Sequence, residues 1–130
     1  MPVGPSSIAV GTPLAFRMVS TADGFAGLYV LSASGRTQAW LENVRLRAGE
    51  PIVYPQQGLI VRATPPAGDD TVLLLVSRDR LDGFAGPGEI TTPFDLQYSH
   101  AGLRAAIQHK FSDVRRERWA FAELEIRVHD

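Results

Sequence analysis

Five consecutive apolar residues, Val72-Leu73-Leu74-Leu75-Val76, stand between the turn-forming stretch Pro65-Pro66-Ala67-Gly68-Asp69-Asp70 and the polar run that begins at Ser77. A run this short is ill suited to a helix, and its flanking Pro, Gly and Asp punctuate it as a strand with both faces covered. Burial of each of those side chains is worth roughly 1.5 to 3 kcal/mol, set against about 1 to 2 kcal/mol of chain entropy per ordered residue. The segment is therefore expected to form the centre of a core, enclosed above and below by two layers of sheet.

The neighbouring stretches supply further strands. Ile8 and Val10 alternate, Gly11-Thr12-Pro13 interrupts, and Leu14, Phe16 and Met18 continue at a spacing of two, which is the period of a half-buried strand. Asp23-Gly24 marks a tight turn, Gly27 to Ser32 a strand, Ser34-Gly35 a second turn, and Arg36 to Leu41 the return strand, so a three-stranded meander is expected. Asn43 to Gly49 reads as a short edge strand with Arg45 and Arg47 turned outward, Ile52 to Tyr54 as a brief strand stopped by Pro55, and Gly58 to Thr64 as another. Leu81 to Pro93 is the longest stretch without a period, and its glycine-rich part is the first place to look for a contact surface.

One helix is expected after Ser99, a suitable N-cap, with Leu103, Ile107 and Phe111 recurring at fours and Val114 continuing the face. In the last stretch Trp119 and Phe121 begin an alternation that Leu124, Ile126 and Val128 resume in the opposite phase, which predicts a bulge near Ala122. These elements describe an all-β, antiparallel, immunoglobulin-like β-sandwich with one α-helix in the C-terminal half. Residues 1–7, with Pro2, Gly4 and Pro5, read as a flexible lead-in, and residues 8–130 as a single domain.

Chemistry is harder to find than structure. The chain has 13 basic and 14 acidic residues, so its net charge of -1 gives no general attraction for nucleic acid or an anionic membrane. Cysteine is absent, which removes disulfides, thiolate nucleophiles and Cys-based zinc sites. No apolar run reaches the length of a membrane helix, and the first residues lack the basic and apolar regions of a secretion signal. As written the chain is expected to be cytoplasmic; cut from a longer protein, it would be periplasmic or secreted.

His100, His109 and His129 lack metal-ligand spacing, and Asp69, Asp70, Asp79 and Asp82 lack that of a calcium loop. No nucleophile elbow or phosphate-binding loop is present. The basic run Arg115-Arg116-Glu117-Arg118 suits the C-terminal end of the helix better than a nucleic-acid groove, since no aromatic platform accompanies it. Neither a cofactor nor a metal is expected, and no catalytic constellation is found.

The order Gly11-Thr12-Pro13-Leu14-Ala15-Phe16, Asp23-Gly24, Gly27-Leu28-Tyr29-Val30-Leu31, Gly35, Arg47-Ala48-Gly49, Pro55, Pro65 to Asp70 and Leu73-Leu74-Leu75-Val76-Ser77 resembles a family of bacterial accessory domains of unknown function. Arg118-Trp119-Ala120 and the final strand are similar too. The resemblance implies a small β-sandwich of the kind appended to caspase-like peptidases, serine/threonine kinases and envelope proteins, with no catalytic residues to carry over. The chain departs from the pattern at Trp40 and Glu42 and in a longer loop over Asp82 to Gly88.

Phe25, Trp40, Tyr54, Phe84 and Phe94 lie at or near expected strand ends, and a shared exposed patch of such rings would be a partner site. The leading expectation is a non-catalytic interaction or adaptor module that binds another protein, accessory to a bacterial peptidase, kinase or secretion apparatus, with a lent edge strand as one means. The alternative is a carbohydrate- or small-ligand-binding sandwich that uses Trp40 or Tyr54 as a stacking platform.

Overall fold

The computed structural model describes residues 6–55, 60–63, 66–80, 83–84, 88–91, 93–112 and 118–129. Its elements, in chain order, are β1 (Ser6–Ala9), β2 (Phe16–Met18), β3 (Gly24–Leu31), β4 (Thr37–Leu46), β5 (Ile52–Tyr54), β6 (Gly68–Ser77), β7 (Phe94–Leu96), α1 (His100–Lys110) and β8 (Trp119–His129). Strands predominate. Six of them form one mixed sheet in the order β1-β8-β6-β3-β4-β7, and β2 with β5 makes a separate two-stranded ribbon.

The apolar run sits where its pattern demands, near the middle of that sheet. β6 pairs antiparallel with β3 on one side and β8 on the other, so its main-chain groups are satisfied within the sheet. Its side chains alternate between two cores. Leu73 and Leu75 join Tyr29, Leu31, Ala39 and Leu96 beneath Leu103, Ile107 and Phe111 of the helix. Val72 and Leu74 turn the other way, toward Leu28, Val30, Trp40, Ile126 and Val128, where Met18 and Tyr54 of the ribbon close the layer. One cover is thus sheet, as expected, and the other is the helix.

Several expected strands fall elsewhere. The meander does not form, because β2 leaves the main sheet to pair with β5, while β3 lies between β4 and β6. Asn43 to Gly49 is no separate edge strand; its first part continues β4 through Asn43, whose positive φ of 54° lies in the left-handed region that Asn tolerates. Arg45 and Arg47 are exposed, as expected. Within Gly58 to Thr64 the described residues 60–63 hold a single bridge, Arg62 to Pro13. The turn expected over Pro65 to Asp70 is already strand from Gly68. β7 was not anticipated, and three residues carry too little periodicity to signal it.

At the two ends of the sequence, β1 begins at Ser6, inside the expected lead-in, and runs parallel to the end of β8. The sheet is therefore mixed where a wholly antiparallel one was expected. The helix matches its prediction: Ser99 Oγ accepts from the Gly102 N–H at 3.0 Å, and Leu103, Ile107 and Phe111 are buried. Val114 lies outside the described residues. β8 has no bulge near Ala122, since its register with β6 is unbroken from Trp119 to Val128. The phase change has another cause. Trp119 packs on the helix side at one end of the strand, while Ile126 and Val128 pack on the ribbon side at the other.

Candidate functional site

The five predicted contact aromatics do not gather in one patch, although Phe25 and Phe84 line the same small cavity. Trp40 and Tyr54 are 5% and 0% exposed and stack on each other at 5.4 Å, with Phe16 tilted against Trp40. Phe84 lies on the other side of the sheet, edge-on to Tyr29 and Tyr98, with Lys110 Nζ 5.0 Å from its ring centre. Phe25 is half-buried on β3, and Phe94 is exposed on the short edge strand β7. Packing takes up Trp40 and Tyr54, whose rings fill the layer between the large sheet and the ribbon.

Beside Gly83 and Phe84 lies a buried carboxylate that the sequence marks only as a departure from a pattern. Glu42, 1% exposed, accepts hydrogen bonds from the Tyr29 hydroxyl and the Phe84 N–H, both at 2.6 Å. Its backbone bridges to Ile90, and Asn43 Nδ2 donates to the Gly88 carbonyl at 3.2 Å. A Cβ at Gly83 would collide with the carboxylate, so the loop approaches as closely as glycine allows. Burial, and secondarily the Glu42 charge and hydrogen bond, push the Tyr29 hydroxyl far above the ordinary tyrosine range. Charge-assisted bonds to a buried carboxylate hold geometry well. The space beside it measures only about 30 Å³, room for a water molecule and not for a substrate. Glu42 therefore fixes the backbone at Gly83 and Phe84 against β4.

The aspartates considered for calcium are separately engaged. Asp69 pairs with Arg127, Asp70 accepts from the Ala33 N–H, and Asp79 receives two hydrogen bonds from Arg118, which hold its carboxyl below the usual range. Asp82 lies outside the described residues. Among the described residues no three His, Asp or Glu side chains gather as a metal site. No described helix is long and apolar enough to cross a membrane.

The outer edge of β8 is the surface with the clearest binding geometry. Its inner edge pairs with β6 from Trp119 to Val128, and on the outer side, among the described residues, β1 pairs with Ile126 to His129. Two hydrogen bonds set the direction of the main-chain groups: the Arg118 carbonyl accepts from the Arg78 N–H, and the His129 carbonyl from the Val10 N–H. In an antiparallel pair the inward-bonded residues alternate with outward-facing ones. Ala120 and Ala122 are therefore turned toward β6, whereas Phe121 and Glu123 present N–H and C=O outward. Among the described residues no strand pairs with those groups.

A groove flanks this edge. Arg104, Ile107 and Gln108 of the helix and Trp119, Phe121 and Glu123 of the strand line a cavity of about 250 Å³. Trp119 forms one wall, stacked on Phe111 at 4.6 Å, and Phe121 is 42% exposed. Arg104 and Glu123 bridge the groove as an ion pair. The sequence places a strand here and allows a lent edge, but the parallel pairing of β1 with the end of this strand left no local signal.

No family model, no curated protein and no solved structure matches the chain.

Proposed function

We propose that the chain is a non-catalytic protein-interaction module that receives an extended segment of a partner protein on the outer edge of β8. The observation that carries this reading is the row of outward main-chain donors and acceptors at Phe121 and Glu123, beside an apolar groove. Strand addition of this kind draws affinity from main-chain hydrogen bonds and specificity from flanking pockets. An adaptor role beside a bacterial peptidase, kinase or secretion component, and an immunoglobulin-like relation for the two packed sheets, belong to the same proposal and draw on the family resemblance.

The small-ligand reading has one observation in its favour, a cavity of about 250 Å³ lined by Leu14, Val30, Trp40, Val61 and Pro93 with Asp70 at its side. Trp40 is nearly buried and gives its ring to Tyr54, which leaves little stacking face for a sugar. Strand addition is the stronger reading.

The test is residue-resolved amide hydrogen exchange, with and without peptides selected on the folded chain from a displayed library. Selected peptides are expected to slow exchange at Phe121 and Glu123. Glu123→Pro, which removes an outward donor at a position an edge strand tolerates, is expected to abolish binding with the fold retained by circular dichroism. Peptides that protect only other surfaces would overturn the proposal.

A further inference from the structure

We infer that the cavity beside Trp40 binds a small zwitterion with an apolar body, the form of a free amino acid, at a site independent of the β8 edge. Its apolar walls are Leu14, Val30, Trp40, Val61 and Pro93. Its volume of about 250 Å³ falls below the roughly 300 to 1,000 Å³ of pockets that take drug-sized ligands, so it suits a small metabolite.

Four polar side chains, Ser32, Gln38, Arg62 and Asp70, share the lining, and they differ in what they have left to give. Gln38 is engaged at both ends: its Nε2 donates to Asp95 at 2.8 Å, and its Oε1 accepts from the Trp40 Nε1–H at 3.0 Å. Ser32 Oγ is bonded to Ser34 Oγ at 3.0 Å and accepts from the Ser34 N–H. Arg62 is exposed and donates through Nη1 to the Gly11 carbonyl at 3.0 Å, which leaves most of its guanidinium donors uncommitted. Asp70 accepts from the Ala33 N–H at 2.8 Å through Oδ1. Neither Arg62 nor Asp70 belongs to an ion pair among the described residues.

The charges near the cavity balance. Asp95 is paired with Arg36 and Asp69 with Arg127, and His100 and Asp69 act on Asp70 in opposite senses. Burial outweighs the Ala33 bond and pushes the Asp70 carboxyl above its ordinary range, as expected of an anion short of partners. What remains is one carboxylate and one guanidinium beside an apolar floor. A purely cationic ligand meets repulsion from Arg62, and a purely anionic one meets it from Asp70. A zwitterion satisfies both, with its ammonium on Asp70, its carboxylate in the planar fork of Arg62 and its apolar body on Val30 and Val61.

Leucine, leucinamide and isocaproate share one apolar body and carry both charges, the ammonium alone and the carboxylate alone. Each is titrated into the isotope-labelled whole chain while the amide resonances of Val30, Val61 and Ala63 and the Trp40 indole N–H are followed. Leucine is expected to shift these signals and to bind roughly tenfold or more tightly than either analogue. Asp70→Asn, which keeps an acceptor for the Ala33 N–H, is expected to remove the advantage over isocaproate, and Arg62→Gln the advantage over leucinamide, with the fold of both checked by circular dichroism. Equal binding of leucine and either analogue by the unaltered chain would refute recognition of both charges. Absence of shifts at millimolar leucine, or shifts that persist undiminished in both variants, would refute the site, and neither result bears on exchange at Phe121 and Glu123.

Discussion

The two faces of the large sheet are covered by different means. On one, a single continuous helix, His100 to Lys110, lays Leu103, Ile107 and Phe111 onto the strands. On the other, the cover is assembled from β2, β5, Val10, Leu14 and Val61, pieces drawn from distant parts of the chain. The polar groups buried on each face differ as well. Tyr29 gives its hydroxyl to Glu42 at 2.6 Å, whereas the Tyr54 hydroxyl is buried without a hydrogen-bond partner. The helix is not free of such atoms either: His100 Nε2, in its first turn, is buried without a hydrogen-bond partner.

Truncating each cover should separate them most widely. Leu103→Ala, at a fully buried helix position, is expected to cost about 2 to 5 kcal/mol, and Ile52→Ala, at a half-buried ribbon position, about 1 kcal/mol or less. Equal losses in urea denaturation would break the comparison.

The next effect comes from Tyr29→Phe. This change removes a donor from a buried carboxylate, and about 1 to 3 kcal/mol of destabilisation is expected from urea curves. Retained stability would show that Glu42 does not depend on Tyr29.

Alkaline pH sharpens the contrast further. Burial pushes the Tyr54 hydroxyl from 10.0 up to about 12, so its folded form keeps a proton that the unfolded chain has lost. The associated stability is full below pH 10 and is lost as pH rises toward 12, with a slope of about 1.4 kcal/mol per pH unit from this group. Tyr54→Phe should flatten that part of the curve by the same amount. An unchanged slope would place the alkaline loss elsewhere.

The smallest effect is also the one of opposite sign. At neutral pH Tyr54→Phe removes an unsatisfied hydroxyl and is expected to leave stability unchanged or raise it by up to about 1 kcal/mol, in the reverse direction to Tyr29→Phe. A clear loss would mean that the Tyr54 hydroxyl is satisfied in solution.

The same contrast explains what the sequence revealed. The helix was legible because Ser99, Leu103, Ile107 and Phe111 encode it within a dozen residues, and the β3–β4 hairpin because Ser34-Gly35 turns two patterned runs back on each other. The ribbon was not, since Phe16 and Tyr54 become neighbours only through pairing across most of forty residues. Nothing local distinguishes a strand that joins the main sheet from one that leaves it. The proposed docking edge was half legible. Trp119 and Phe121 announced a strand, but which of its residues pair with β1 is settled only where Ser6 meets Ile126. Glu42 was noticed without a role, because its donors arrive from Tyr29 and from the backbone of a loop more than forty positions away.

The parallel contact of β1 with β8 joins segments separated by nearly the full length of the polypeptide. Such a contact gains little until the intervening chain is already ordered, because ring closure is unfavourable before other contacts compensate it. β1 should therefore be the last strand to dock and the first to detach. During both events Ile126 to His129 of β8 lack the partner strand that β1 gives them in the native chain, so a nascent or partly unfolded chain is more vulnerable to mispairing than the native one.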